Sequence, residues 1–136
     1  MSDLLFNTLM GEPYKLSIEV DKDQTYVIRA LLCDIDIEIG SAKFNFEGDT
    51  CNLLSITTDE MHRRQGIGHV MLCQVEGVAK MLGARYVYLE VVPNGVSRRY
   101  LNTYFKKHGY DTDFLNPENG LGKDIINNPP STISRQ

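Results

Sequence analysis

The amino-acid sequence predicts a mixed α+β fold, in which a mostly antiparallel central sheet holds one parallel strand pair and is flanked by helices. Three observations predict it. Residues 14–46 alternate apolar and polar side chains with a period of two, which is typical of strands. Residues 67–82 place apolar side chains at helical spacing, and a β-rich segment follows them. A strand, a helix and another strand in one sheet imply a parallel pair with a right-handed crossover.

The amino-terminal elements are predicted from apolar spacing. One or two turns of helix are expected within residues 4–10, ended by Gly11 and Pro13. Four strands should follow, the third placing Ile35, Ile37 and Ile39 on one side. Gly40 is expected to mark a bend or bulge in that strand. The predicted strands cover residues 14–20, 25–32, 34–46 and 53–58, the last with its period of two running through Leu54, Ile56 and Thr58.

The carboxyl-terminal elements begin with the helix over residues 67–82, for which Gly83 is a suitable stop. A strand over residues 85–92 is broken by the Pro-Asn-Gly sequence that follows it. A second amphipathic helix is expected between Ser97, a candidate N-cap, and Gly109. Residues 110–115 and 121–126 predict a final hairpin.

Length, net charge and cysteine content limit the classes of protein to which this chain can belong. The chain of 136 residues, 42% of them hydrophobic, predicts a single domain over residues 1–136, with a tail from about residue 127 expected to fray. A net charge of −4 argues against nucleic-acid binding and suits an amine-bearing substrate. Three widely spaced cysteines predict neither a disulfide framework nor a metal site. No signal peptide or membrane-spanning run is recognised, which predicts no membrane partner and a cytoplasmic location.

The most informative segment is a loop between the fourth strand and the first long helix. Its two glycines let the main chain approach a ligand closely, although they could also simply shape the turn. The free amides of a helix's first turn favour an anion, so we expect main-chain amides here to hold a diphosphate. The two arginine side chains could contact phosphate or form a solvated pair. The loop residues are Arg63, Arg64, Gln65, Gly66, Ile67 and Gly68.

These residues resemble the GNAT superfamily of N-acetyltransferases, which transfer an acyl group from acyl-CoA to an amine. The family's central motif is Arg or Gln, two residues, Gly, one residue, then Gly or Ala, and Arg63, Gly66 and Gly68 match it. Residues 89–91, Leu-Glu-Val, look like the end of the family's next strand, and residues 105–110 are similar to its closing Tyr-x-x-x-Gly-Phe element. The resemblance covers roughly residues 53–114 and implies that the parallel strand pair splays apart.

The resemblance also implies how acetyl-CoA is bound. The pantetheine arm of coenzyme A enters the gap between the splayed strands, where backbone groups near Ile56 and Thr58 pair with its amides. The loop residues 63–68 supply main-chain amides around the pyrophosphate. Asn94 follows the Leu-Glu-Val sequence much as the family's asparagine does, and is a further coenzyme-binding candidate. No metal is expected, because no histidine lies in a cluster of ligands.

The chemistry needs a neutral amine and a proton for the leaving thiolate. Glu60, beside the loop, and Glu90, in the facing strand, are candidate bases, and each could equally be a solvated or structural carboxylate. Family members often use a tyrosine as the acid four residues before the glycine of the closing element, but this chain has Phe105 there. Tyr104 or Tyr100 could substitute, or either could be a core or rim residue. A backbone N–H near the end of the fourth strand could stabilise the oxyanion.

The amino-terminal region departs from the family. Relatives usually place two helices between their first two strands, whereas residues 14–46 look almost wholly β, so this helical region is expected to be reduced. An open acceptor side fits a peptide or protein lysine better than a small amine. A partner subunit in a homodimer could supply the missing wall.

Two other classes stay open from the sequence. Phe105 motivates a non-catalytic acyl-CoA-binding or regulatory module, which would bind the coenzyme tightly without releasing thiol. A nucleotide-binding domain could share the glycine turn, and would be protected by ATP rather than by coenzyme A. The absence of the usual glycine-rich nucleotide motifs argues against the second class.

Overall fold

The computed structural model describes residues 4–63, 66–90, 98–112 and 120–126. Among the described residues five strands precede the first helix, in keeping with the predicted α+β fold, and a short 3₁₀ turn, Glu60–His62, lies between the fifth strand and that helix. The strands are β1 Leu4–Asn7, β2 Pro13–Val20, β3 Tyr26–Leu32, β4 Glu38–Glu47, β5 Thr50–Thr58, β6 Tyr86–Glu90, β7 Asp111–Thr112 and β8 Gly120–Asp124. The helices are α1 Ile67–Met81 and α2 Arg98–Lys107.

Neighbouring strands are hydrogen-bonded to each other in the order β1-β2-β3-β4-β5-β6-β8-β7. The chain itself divides into two compact units. Unit 1 comprises Met1–Asn45 and Leu54–Val75, and unit 2 comprises Phe46–Leu53 and Glu76–Gln136. Three elements, β4, β5 and α1, therefore contribute residues to each unit. The prediction of a single domain over residues 1–136 stays a prediction.

Unit 1 is built on antiparallel pairing of β1 with β2, β2 with β3 and β3 with β4. Alternate residues of these strands face the core, and Ile28, Ala30 and Phe44 are fully buried. The register of β3 with β4 shifts after the pair Ala30 and Gly40, because the next residue of β3 pairs with Glu38. The bulge predicted beside Gly40 is confirmed, and it lies at the residue before this glycine.

Unit 2 contains the predicted parallel pair. Thr50 to Leu53 of β5 pair in parallel with Tyr86 to Leu89 of β6, and β6 also pairs antiparallel with β8. The predicted final hairpin is confirmed, since β7 pairs antiparallel with β8. Its turn, residues 113–119, lies outside the described residues. The core of this unit contains Cys51, Val87, Leu89, Phe105, Tyr110 and Leu121.

Three local predictions are wrong. The predicted helical turns within residues 4–10 are instead β1 and a turn, because the backbone of this segment pairs with β2. The third predicted strand begins only at Glu38: Asp36 has a φ of +51° and the Leu32 N–H donates to the Ile37 carbonyl, so a tight turn replaces the strand there. Ile37 is therefore exposed instead of sharing a buried face. In β5, Leu54 is 54% exposed, and the neighbouring Leu53 is buried in its place.

The predicted helix stops are confirmed. Gly83 and Gly109 follow α1 and α2 with φ values of +92° and +96°, the left-handed conformation that glycine adopts most readily. The candidate N-cap Ser97 lies outside the described residues, as does the tail from residue 127. No helix within the described ranges has the length and apolar character needed to cross a bilayer.

Candidate functional site

The glycine turn before α1 ends at a residue in the left-handed conformation. Gly66 has a φ of +86°, and a Cβ atom at this position would meet none of the described atoms beyond its chain neighbours within 4 Å. Among the described residues, none accepts a hydrogen bond from the backbone N–H groups of Gly66, Ile67 or Gly68. The first turn of α1 carries no acidic side chain that would compete for these amides. Free amides at the positive end of a helix can bind phosphate oxygens.

The start of the loop is fixed to the end of β5. The Arg63 side chain is exposed, and its Nε atom donates a hydrogen bond to the Thr58 carbonyl at 3.2 Å. This carbonyl is one of the groups that the sequence assigned to the pantetheine arm. A carbonyl oxygen has two lone pairs, so it can still accept a second hydrogen bond. Arg64 and Gln65, the two remaining loop candidates, lie outside the described residues.

The carboxyl-terminal half of β5 is accessible. Its register with β6 ends at Leu53 and Leu89, although β5 continues for five more residues to Thr58. In this end of the strand Ile56 and Thr58 are half-buried and Thr57 is exposed. Within the described residues, the strand that the resemblance assigns to the pantetheine arm therefore exposes part of its carboxyl-terminal half.

A histidine bound by two carboxylates lies directly before the loop. His62 Nδ1 is 2.9 Å from Asp59 Oδ2, and His62 Nε2 is 3.3 Å from Glu12 Oε1. The cluster ties the 3₁₀ turn to the segment between β1 and β2. Sequence reasoning missed it: the spacing of three residues between Asp59 and His62 was a usable signal, but nothing local indicates Glu12. Glu60, one of the two candidate bases, is exposed beside this cluster.

The remaining catalytic candidates belong to unit 2. Tyr100 of α2 is 46% exposed. Tyr104 is half-buried, its hydroxyl oxygen is inaccessible to solvent, and its ring packs edge-on against Phe105 at 5.2 Å. Glu90 is exposed and accepts a hydrogen bond from the Tyr88 hydroxyl at 3.3 Å. Asn94, the last coenzyme candidate, lies outside the described residues.

Phe105 is a core residue in this structure. It is 5% exposed, and its ring packs edge-on against the Tyr110 ring at a centroid distance of 5.9 Å. Tyr110 in turn donates a hydrogen bond to Glu76. An aromatic side chain without a hydroxyl therefore occupies the position at which the family often has its acid.

A buried polar cluster was also missed by sequence reasoning. Glu76 of α1 accepts hydrogen bonds from the Tyr110 hydroxyl and from Lys123 Nζ, each at 2.8 Å. Burial, reinforced by the nearby charge of Glu76, raises the pKa of the Cys51 thiol to about 12. Cys51 is accordingly a neutral core thiol rather than a nucleophile. Within the described ranges, no group of three or more histidine, cysteine or acidic side chains is arranged to hold a metal ion.

Comparison with known proteins identifies a matching family and solved structures with the same fold. A family model described as acetyltransferase (GNAT) family matches residues 7–110. No curated protein matches the sequence. Many solved structures share the fold.

Three of these solved structures illustrate the likeness. The cAMP-binding acyltransferase from Mycobacterium smegmatis has a TM-score of 0.71 at 12% identity over 96% of this chain and 50% of that chain. The PaiA N-acetyltransferase from Thermoplasma acidophilum, in complex with coenzyme A, has a TM-score of 0.63 at 16% identity over 74% of this chain and 60% of that chain. Tetrahymena GCN5 has a TM-score of 0.61 at 12% identity over 77% and 70%. At such low identities the likeness shows only that the fold is shared.

Proposed function

The chain belongs to the acetyltransferase (GNAT) family, and from that premise we propose that it transfers an acetyl group from acetyl-CoA to a primary amine. The amine attacks the thioester directly, in a complex that holds both substrates. The observation that carries this proposal is the open glycine turn before α1, where Gly66 has a φ of +86° and leaves room for a ligand. The crystallised complex of the Thermoplasma relative with coenzyme A supports the same cosubstrate.

Coenzyme A fits the donors that this chain offers. The amides of Gly66, Ile67 and Gly68 would bind the diphosphate, because a helix start supplies both N–H groups and a positive partial charge. Backbone groups near Ile56 and Thr58 would pair with the amides of the pantetheine arm. Arg64, Gln65 and Asn94 remain part of the proposed site on the strength of the family motif.

The reaction requires a base for the amine and a proton for the leaving thiolate. A lysine-like amine has a pKa of about 10.4 and is mostly protonated at neutral pH, so a carboxylate such as Glu60 or Glu90 would help to remove its proton. Tyr104 or Tyr100 would return a proton to the thiolate. Because a thiol with a pKa of about 8.5 leaves readily, transfer can proceed even with Phe105 at the family's tyrosine position.

The acceptor is proposed as a primary amine, with a peptide or protein lysine as the first class to test. The described part of the first 58 residues contains strands and turns but no helix, so helices that wall the acceptor side in relatives have no counterpart there. An amine carried on a peptide does not need to be enclosed. The net charge of −4 also suits a cationic acceptor.

Thermal unfolding tests the coenzyme site. Acetyl-CoA and coenzyme A should raise the Tm and ATP should not, and a ligand at a hundred times its Kd stabilises by about 2.7 kcal/mol. Gly66→Trp should abolish this shift. Gly83→Trp is the matched control, because Gly83 has a similar φ of +92° and equally open space around a Cβ atom. A Gly66→Trp protein that keeps the full coenzyme shift would contradict the assigned site.

Thiol-release assays over small amines and lysine peptides then test the chemistry. Release that depends on the amine supports N-acetyl transfer. Tight binding of coenzyme A without release on any acceptor would instead identify a non-catalytic coenzyme-binding module. Protection by ATP but not by coenzyme A would identify a nucleotide-binding domain.

A further inference from the structure

Gly40 lies in β4 at a point where a side chain has no room. A Cβ atom there would lie 2.9 Å from Met71 Cε, 3.0 Å from the Thr57 carbonyl oxygen and 3.4 Å from Ile67 Cγ2. Carbon atoms pack at about 3.5–4.0 Å, so a side chain at this position would require the Met71 methyl to rotate away and the Thr57 carbonyl to shift, whereas its contact with Ile67 is nearly ordinary. Two of these neighbours belong to the first part of α1, and the third belongs to the accessible end of β5.

The β4 backbone is tied to the end of β5 on both sides of Gly40. On one side the Asp59 N–H donates to the Ile39 carbonyl at 2.8 Å. On the other side Ser41 Oγ lies 3.4 Å from Thr57 Oγ1. The backbone hydrogen bond from Asp59 to Ile39 therefore opposes an outward shift of β4 beside Gly40, and the exposed contact of Ser41 with Thr57 adds little to it.

We propose that Gly40 is a positioning residue for the coenzyme, because it sets the spacing between the end of β5 and the first turn of α1. This inference rests on the proposed function, in which β5 holds the pantetheine arm and the amides around Gly66 hold the diphosphate. Both parts of that site lie next to Gly40 in β4. The left-handed turn at Gly66 then presents its amides at a fixed distance from the strand.

A side chain at position 40 would act on the two parts of the site together. It would press on the Thr57 carbonyl, which belongs to the backbone and cannot rotate away as the Met71 methyl can, and so shift the end of β5 relative to the first turn of α1. A ligand that spans both parts would lose affinity. A ligand that contacts only the loop would lose little affinity, because the amides of the loop would move together.

Isothermal titration calorimetry on the full chain can separate these effects. Coenzyme A spans both parts of the site, whereas 3′-phosphoadenosine 5′-diphosphate carries only its nucleotide and diphosphate. In Gly40→Ala we expect coenzyme A to bind about tenfold more weakly, since misplacements of an ångström or less have effects of this size. The nucleotide fragment should lose less than about twofold in affinity.

Gly77→Ala is the matched control. Gly77 lies in α1 and is exposed, and a Cβ atom there would meet no other atom within 4 Å. Both ligands should bind this variant as they bind the original protein, and its Tm should not fall, because alanine favours a helix more than glycine does.

Each other outcome overturns the inference. Parallel weakening of both ligands in Gly40→Ala would mark a general loss of structure rather than a change of spacing. Unchanged binding of both ligands would show that the glycine does not position the coenzyme. If the original protein does not bind coenzyme A, the proposed function fails first. If it does and Gly40→Ala behaves identically, only this inference fails.

Gly40→Ala combined with the exchange Met71→Leu decides the question if Gly40→Ala alone does not fold. The exchange conserves volume, which cores tolerate, but removes the Cε atom that lies over Gly40. We expect a greater loss of affinity for coenzyme A than for the nucleotide fragment. Equal affinities to those of the original protein for both ligands would overturn the inference.

Discussion

Removing the ammonium of Lys123 should destabilise the fold far more than removing an exposed lysine. Glu76 accepts hydrogen bonds from Lys123 Nζ and from the Tyr110 hydroxyl, each at 2.8 Å. The Lys123 and Glu76 side chains are only 2% and 3% exposed. Lys123→Met keeps an unbranched side chain of similar length but removes its charge. The Glu76 carboxylate then stays buried without its counter-ion.

The expected cost follows from this burial. Removing one partner of a buried ion pair typically costs about 3–5 kcal/mol, because the remaining charge is held out of water. A domain has a total stability of about 5–15 kcal/mol, so the loss is a large part of it. For a chain of this size the Tm should fall by roughly 10–20 °C. Glu76→Leu combined with Lys123→Met should recover part of the loss, since no buried charge then lacks its counter-ion, but the Tyr110 hydroxyl loses its acceptor.

Urea unfolding followed by circular dichroism measures the effect, with a lower midpoint and an unchanged slope expected for Lys123→Met. Lys15→Met is the matched control. Lys15 Nζ lies 3.1 Å from Asp36 Oδ1, but the two side chains are 29% and 69% exposed, so the loss should be about 0–1 kcal/mol. A cost for Lys123→Met no greater than that of Lys15→Met would refute the reasoning from burial.

The remaining predictions concern the stability of the fold at alkaline pH and the residue that protonates the leaving thiolate. Since burial raises the pKa of Cys51 to about 12, its stabilising contribution is complete below about pH 8.5 and is lost as the pH rises toward 12. Cys51→Ala should therefore flatten the decline of the unfolding free energy with pH above about pH 8.5, and an unchanged slope would contradict this. Tyr104→Phe and Tyr100→Phe should differ in turnover in the thiol-release assay if one of them is the acid, and equal, near-native rates would rule out both.

The parts of the fold that depend on local backbone preferences could be predicted from the sequence. Gly83 and Gly109 were placed as helix stops, and both adopt the left-handed conformation that a stop requires. Gly66 was placed in a turn that leaves amides free, and its φ of +86° agrees with that role. A few neighbouring residues are enough to encode such features, because positive φ values exclude most other residue types.

Other predictions that depended on a distant partner failed or were not made, although the parallel pair of β5 and β6 was predicted. The apolar residues of positions 4–10 fit a helix or a strand equally well, and pairing with β2 decides for a strand. The exposed Leu54 shows the same limit, because the period of two cannot say which face of β5 is covered.

The sequence by itself therefore determined the order of strands and helices from β2 onward, the family and the glycine turn proposed to hold phosphate. The tertiary structure alone decided which polar groups are buried together and where the backbone has no room for a side chain. Glu76 and Lys123 are 47 residues apart along the chain, and their pairing depends on how α1 and β8 pack. Gly40 and Met71 meet only because helix and strand are close-packed, which no local pattern encodes.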